Sequence, residues 1–312
     1  EAEDPMQEAL ESTPGPSATP ARARKHTAEP RPPIRVRRPG LAFDEARTRR
    51  WLHGSAATLI AHALSPLFPA GERFFIKAVM SFKDEITDPA LRAEMRKFAA
   101  QEAVHTREHQ LYDAAAETHY ELSSIENLVQ EDLRRLWVGL RSVDRPWFRG
   151  RRIALAFTVG LEHFTAILGH QVLSRQDWLD GVDPEFATLW SWHAAEEIEH
   201  KAVAFDVYEA VGGNYFERSL VMLWATLSIV FGMFRVIWHL LGKDGQRFSA
   251  TAWREILSFL FVSPGAFTRA LPAYLTYFRP GFHPWDHDDR HLLERWRRAY
   301  PDVAHEGADA GD

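Results

Sequence analysis

The sequence predicts an all-α protein, a four-helix bundle with additional C-terminal hydrophobic helices, and three observations carry that prediction. From about residue 54 onward apolar residues recur at helical spacing, and no alternating apolar/polar run long enough for a strand interrupts them. Asp88-Pro89 and Asp183-Pro184 each place an N-cap residue before a proline at the first helical position. Two Glu-x-x-His segments, Glu102 to His105 and Glu197 to His200, fall inside the helices so marked.

The elements follow in chain order. Residues 1–42 are rich in proline and poor in large apolar side chains, so little burial offsets the entropy of ordering them. They are expected as a disordered tail, with Arg35, Arg37 and Arg38 a solvated basic linker. Residues 43–290 read as a single helical domain. Helices are expected over 56–67, over 71–80, and from Asp88-Pro89 to about residue 116. An amphipathic scaffold helix covers 123–141, and Pro146 introduces a long helix through 173. Asp183-Pro184 opens one that runs to about 210 and stops at Gly212-Gly213-Asn214.

Residues 219–241 form a strongly hydrophobic helix, short for a membrane span and read as a core or interfacial helix. Further apolar stretches lie at 256–262 and 274–278. The Pro- and Gly-rich segment 279–286 is expected to fold back over the domain, and 291–312 is read as a helix end and a frayed tail.

Composition narrows the chemistry. The chain has 312 residues, 46% of them hydrophobic, enough for a sizeable core. It contains no cysteine, which removes disulfides, thiolate catalysis, iron–sulfur clusters and Cys-held zinc. Any metal must be held by nitrogen and oxygen, from 15 histidines and 43 acidic residues. The formal net charge of −6 and the lack of aromatics within the basic run point away from a nucleic-acid partner. No secretory signal is read, so a cytoplasmic location is expected, with membrane association left open.

The candidate site residues then fall into order. On one helix Glu102, His105 and His109 stand at i, i+3 and i+7; on another His193, Glu197 and His200 stand at i, i+4 and i+7, so each set shares a stripe. Glu72, in the first turns of its helix, would by itself serve only the helix dipole. Glu162 is flanked by apolar and small residues, and a buried carboxylate calls for a cation or hydrogen-bond donors. Glu72 precedes Glu102 by 30 residues and Glu162 precedes Glu197 by 35, which suits a helix, a loop and a returning helix.

One Glu from each of two helices and a Glu-x-x-His from each of two others is the ligand inventory of a carboxylate-bridged dimetal site in a bundle core. Imidazole beside carboxylate favours iron over calcium or magnesium and leaves zinc and manganese open. Solvated, ion-paired helices are the competing reading, and the doubled pattern weighs against it. Glu108, Glu196 and Glu199 fall off the stripes and are expected to face solvent or to pair with Arg107 and Lys201. Trp190 and Trp192 are read as packing at the bundle end.

On these residues the sequence resembles the ferritin-like superfamily of di-iron carboxylate proteins. It most closely resembles the bacterial family of predicted metal-dependent hydrolases, through Phe68 to Phe75, Gln101 to His105, Gly160 to Ala166 and Trp192 to Lys201. The likeness covers roughly residues 45–285. It implies a ferritin-like bundle whose metals are held by Glu72, Glu102, His105, Glu162, Glu197 and His200. Di-iron arylamine N-oxygenases carry a further histidine ligand four residues before the second motif's glutamate, and His193 stands at that place. His109 is either an extra ligand or a hydrogen-bonded neighbour of the metals.

The function expected is a dimetal, di-iron oxidoreductase or oxygenase. It would take dioxygen, an electron donor and a small hydrophobic substrate, and no catalytic residue is assigned beyond the metal centre. The alternative is a hydrolase with two zinc or manganese ions. Peripheral membrane contact and a homodimer are further expectations.

Overall fold

The computed structural model describes residues 30–48, 55–145, 149–175 and 183–305. Regular structure among the described residues is entirely helical. In chain order the helices are α1 (Glu45–Thr48), α2 (Ser55–Leu64), α3 (Phe68–Met80), α4 (Pro89–Tyr120), α5 (Leu122–Ser142), α6 (Gly150–Ser174) and α7 (Pro184–His200). There follow α8 (Val203–Ala210), α9 (Tyr215–Lys243), α10 (Ala250–Phe261), α11 (Ala266–Thr276), α12 (Arg290–Ala299) and α13 (Pro301–His305).

The helix starts have local causes. The Asp88 carboxylate accepts from Ala90 N at 2.9 Å and Asp183 accepts from Glu185 N at 3.1 Å, each beside a proline that has no N–H to satisfy. Asn214 caps α9 by accepting from Glu217 N at 3.0 Å. The start expected at Pro146 lies outside the described residues, and α6 is helical from Gly150.

The bundle is made by α3, α4, α6 and α7. Helix α3 lies along α4, α6 lies along α7, and the two pairs close on each other through α3 with α6 and α4 with α7. Helix α5 packs on α3 and α6, and α9 lies along α6. Gly169 allows α6 and α7 to approach closely: a Cβ there would stand 2.9 Å from Ala194 O.

Two expectations are corrected. The helix expected over 184–210 is two, divided at Lys201 and Ala202, with Lys201 Nζ bonded to Asp289 at 2.6 Å and to His287 O at 2.7 Å. Residues 30–42, assigned by composition to a disordered tail, form an extended strap with Ile34, Arg37 and Leu41 buried. Arg37 is therefore no solvated linker residue. It donates to Glu196 Oε1 at 3.0 Å and to Glu199 Oε1 at 2.8 Å, and its guanidinium lies 5.2 Å from the Trp296 ring centroid. Helix α12 lies where the C-terminal helix end was expected and packs on the body, with Leu292, Leu293 and Trp296 buried. Residues 1–29 and 306–312, the remainder of the two expected tails, lie outside the described residues.

The segment 279–286 does fold back, burying Phe282, His283 and Trp285. Among the described residues three stretches are long and apolar enough to cross a membrane: α6, α9, and the α10–α11 segment Ala250–Thr276. They differ in use, since 67% of the most apolar window is buried in α6 but only 33% in α9 and 22% in α10–α11.

Breaking a buried ion pair from one side leaves a charge with no partner. Arg37→Ala is accordingly expected to lower stability by about 3–5 kcal/mol, and Arg38→Ala, at an exposed position, to change it by less than about 0.5 kcal/mol. Urea denaturation of the two variants checks this, and similar midpoints would refute the role of the strap.

Candidate metal centre

All seven residues assigned as ligands from the sequence, and His109, meet in the bundle interior and are buried. Glu72 comes from α3, Glu102, His105 and His109 from α4, Glu162 from α6, and His193, Glu197 and His200 from α7. Each helix thus supplies one of four carboxylates.

The cluster has two lobes. In one, His193 Nε2 lies 2.8 Å from Glu197 Oε1 and 3.9 Å from Glu72 Oε1, while His105 Nδ1 lies 3.6 Å from Glu197 Oε1 and 3.8 Å from Glu102 Oε2. In the other, His200 Nε2 lies 3.2 Å from Glu102 Oε1, 3.3 Å from Glu162 Oε2 and 3.4 Å from Glu197 Oε2. Glu102 and Glu197 belong to both. Groups that could hold a metal ion include Glu72 with Glu102 and His105, His105 with His193 and Glu197, and Glu102 with Glu197 and His200.

The hydrogen bonds around the cluster test whether metal fits. His105 Nε2 is bonded to Glu196 Oε2 at 3.1 Å, and His200 Nδ1 to Gln101 Oε1 at 3.0 Å. Both outer partners are oxygens, and these bonds turn His105 Nδ1 and His200 Nε2 toward the carboxylates. A third chain orients His193. Ser65 donates to Asp113 Oδ1 at 2.6 Å, so His109 Nδ1–H donates to Ser65 Oγ at 3.1 Å. His109 Nε2 and His193 Nδ1 are hydrogen-bonded at 2.6 Å, and His193 Nε2 is hydrogen-bonded to Glu197 Oε1 at 2.8 Å. Both nitrogens of His109 are engaged in this row.

Inside the shell His193 Nε2 and Glu197 Oε1 are bonded to each other, and most of the other inward polar atoms have no hydrogen-bond partner. Both oxygens of Glu102 and of Glu162, Glu72 Oε1, Glu197 Oε2, His105 Nδ1 and His200 Nε2 are all buried in this state. Buried polar atoms are otherwise almost always paired. Four carboxylates, if ionised, carry the charge that two divalent cations neutralise. The residues present fit a two-metal centre.

Electrostatics agree. Burial pushes the Glu72 and Glu102 carboxyls well above their usual range and Glu162 up to about 7. Burial also lowers His105 to about 3 and His193 to about 4, so both rings are neutral and able to ligate. For His200 burial pulls the other way but is outweighed by Glu197 and Glu162, which raise it well above its usual value. In metal-free protein, positive charge therefore sits on His200 among carboxylates.

Glu108, Glu196 and Glu199, expected at or near the surface, are buried. Glu108 does contact Arg107, at 3.2 Å, and also accepts from Leu41 N. Lys201 pairs with Asp289 instead of these glutamates. Glu196 and Glu199 join the strap to both metal lobes. Arg37 bonds Glu196, which holds His105, and bonds both oxygens of Glu199, which accepts from Gln101 Nε2 at 3.3 Å, the residue that holds His200. Burial pushes Glu196 up to about 8 against the opposing pull of Arg37. The sequence did hold a signal for this: α7 packs four acids and two histidines with Lys201 as their nearest cation, so a cation had to come from elsewhere in the chain.

An apolar cavity of about 140 Å³ opens onto His193 and Glu197. Its walls include Ile60 and Leu64 of α2, Phe68 of α3, Leu168 of α6, Met233 of α9, Leu260 of α10 and Phe267 of α11. Trp190 lines the cavity, whereas Trp192 is fully buried with its ring edge-on to His105 at 4.9 Å.

Residues 35–288 match the family described as predicted metal-dependent hydrolase. No curated protein and no solved structure matches the chain.

Two outcomes are expected. Gln101→Leu should weaken metal affinity about 10–100-fold without removing a ligand, measured by competition with a chelator. Metal loading should also release more protons at pH 6 than at pH 8, because Glu162, at about 7, is still protonated at the lower pH and must give up its proton to bind. The apparent affinity then falls as pH drops below about 7. Calorimetry in buffers of different ionisation enthalpy reads this, and equal release at both pH values would contradict it.

Proposed function

This chain belongs to the family of predicted metal-dependent hydrolases, and on that premise we propose that it is a dimetal oxidoreductase, di-iron and ferritin-like, that uses dioxygen to oxidise a small apolar substrate. One metal would be held by Glu72, His105 and His193 and the other by Glu162 and His200, with Glu102 and Glu197 shared between them. Iron bound there would supply one-electron and oxygen chemistry, with electrons from an external donor.

The observation that carries the reading is the apolar cavity meeting the cluster at His193 and Glu197. Phe68, Leu64 and Ile60 exclude water from that side and orient a substrate by shape alone. The Thr165 hydroxyl, on the cavity wall, is bonded to Glu162 O at 3.0 Å. His109 holds the His193 ring from behind, and Thr106 Oγ1 donates to Glu72 Oε2 at 2.9 Å, fixing that carboxylate.

The family's description favours a second reading, hydrolysis by water activated between two zinc or manganese ions. Ester or amide cleavage needs donors aimed at the developing oxyanion. The cavity walls away from His193 and Glu197 are mainly aliphatic and aromatic, which supports oxidation over hydrolysis.

Anaerobically reduced, iron-loaded protein is expected to consume dioxygen in proportion to its iron, and Glu102→Ala and Glu197→Ala to abolish uptake together with both metals. Glu162→Ala should retain one metal of two. An iron-loaded protein inert to dioxygen, with ester turnover in its zinc form, would overturn the oxidoreductase reading in favour of the hydrolase.

A further inference from the structure

Helix α9 is apolar on both sides. Val221, Met222, Ala225, Val236, Ile237 and Leu240 are buried against the body. The opposite stripe is open: Phe216 is 75% exposed, Leu220 68%, Leu227 71% and Phe231 62%. A helix hydrophobic all round belongs inside a protein or against lipid. The open face continues onto α10 and α11, where Leu257, Phe261, Val262, Leu271 and Leu275 are exposed, and Phe234 stacks on Trp253 at 5.7 Å to join α9 to α10. Scattered exposed apolar residues need no explanation, whereas a continuous face of this kind marks a contact.

We propose that this face of α9, α10 and α11 seats the protein on the surface of an anionic lipid bilayer. Both α9 and the α10–α11 segment meet the length and apolarity that lipid requires. The exposed charges on the three helices are mainly basic, Arg235, Arg254 and Arg269 against Glu255, which suits anionic headgroups. A second copy of the chain docking face to face would set these arginines against one another. Trp224 and Trp238, each a little over a third exposed, provide the amphipathic rings favoured at headgroup depth.

The seat is interfacial because α9 cannot leave the bundle. Gly160 of α6 lies so close to it that a Cβ would stand 3.1 Å from Met222 Sδ and 3.2 Å from Ala225 Cβ. Leu260, Ala266 and Phe267 line the side of the cavity that flanks the turn displaying Phe261 and Val262. Seating this face would turn that side of the cavity toward lipid. Surface binding itself is independent of the reaction proposed above.

The test is flotation of the metal-loaded full chain with vesicles of phosphatidylcholine alone and with phosphatidylglycerol added. Binding to the anionic vesicles is expected, weakened by 0.5 M salt on the order expected of a screened basic surface, and reversed by alkaline carbonate. The double substitution Leu227→Glu with Phe231→Glu is expected to reduce binding at least about tenfold, a change of about 1.4 kcal/mol, with metal content and thermal midpoint unchanged. Absence of binding by the unsubstituted chain, resistance to carbonate, or equal binding by the variant would overturn the proposal. A homodimer in sedimentation that the same substitutions dissociate, without vesicle binding, would assign the face to a second copy. Vesicle binding by protein that fails to consume dioxygen would leave this proposal standing and reject only the oxidoreductase reading.

Discussion

Four carboxylates, Glu72, Glu102, Glu162 and Glu197, are buried together at the centre of one bundle, and the rest of the molecule is arranged around that unfavourable fact. Such a cluster is tolerated only if protons or cations compensate it. The metal-free chain does so by raising Glu72, Glu102 and Glu162 and by charging His200. Two divalent cations would do it without protons. The inward-facing atoms that lack hydrogen bonds are the ones a cation would engage.

The outer shell decides which atoms face inward. Glu196, Gln101 and His109 each take the outer nitrogen of one ligand histidine, so the ring orientations are settled before any metal binds. Arg37 ties two of these three contacts to one guanidinium on the strap, through Glu196 on one side and Glu199 with Gln101 on the other. The strap is thereby coupled to both lobes of the centre. Its place in the structure is a matter of charge balance, since α7 buries Glu196 and Glu199 with no cation of its own to pair them.

Helical period made much of this legible in advance. Spacings of three, four and seven residues placed Glu102 with His105 and His193 with Glu197 and His200, and the apolar flanks of Glu162 announced its burial. The strap was not legible, because composition weighs prolines and arginines as disorder and cannot see partners about 160 positions away. Glu196, Glu199 and Glu108 were misplaced for a related reason. A stripe argument assumes that a helix has a solvated side, and α7 is buried nearly all round from Ser191 to Lys201. The division at Lys201 likewise coincides with tertiary bonds, to Asp289 and His287 O, that local sequence does not contain.

The cavity links helices α10 and α11, which carry part of the apolar face, to His193 and Glu197 of the cluster. All of this rests on two metals being held between the four carboxylates. Anomalous diffraction from crystals of the iron-loaded protein, recorded on both sides of the iron edge, tests that most directly. Two peaks are predicted, one beside Glu72, His105 and His193 and one beside Glu162 and His200, with Glu102 and Glu197 between them. A single peak, or peaks away from these side chains, would contradict it.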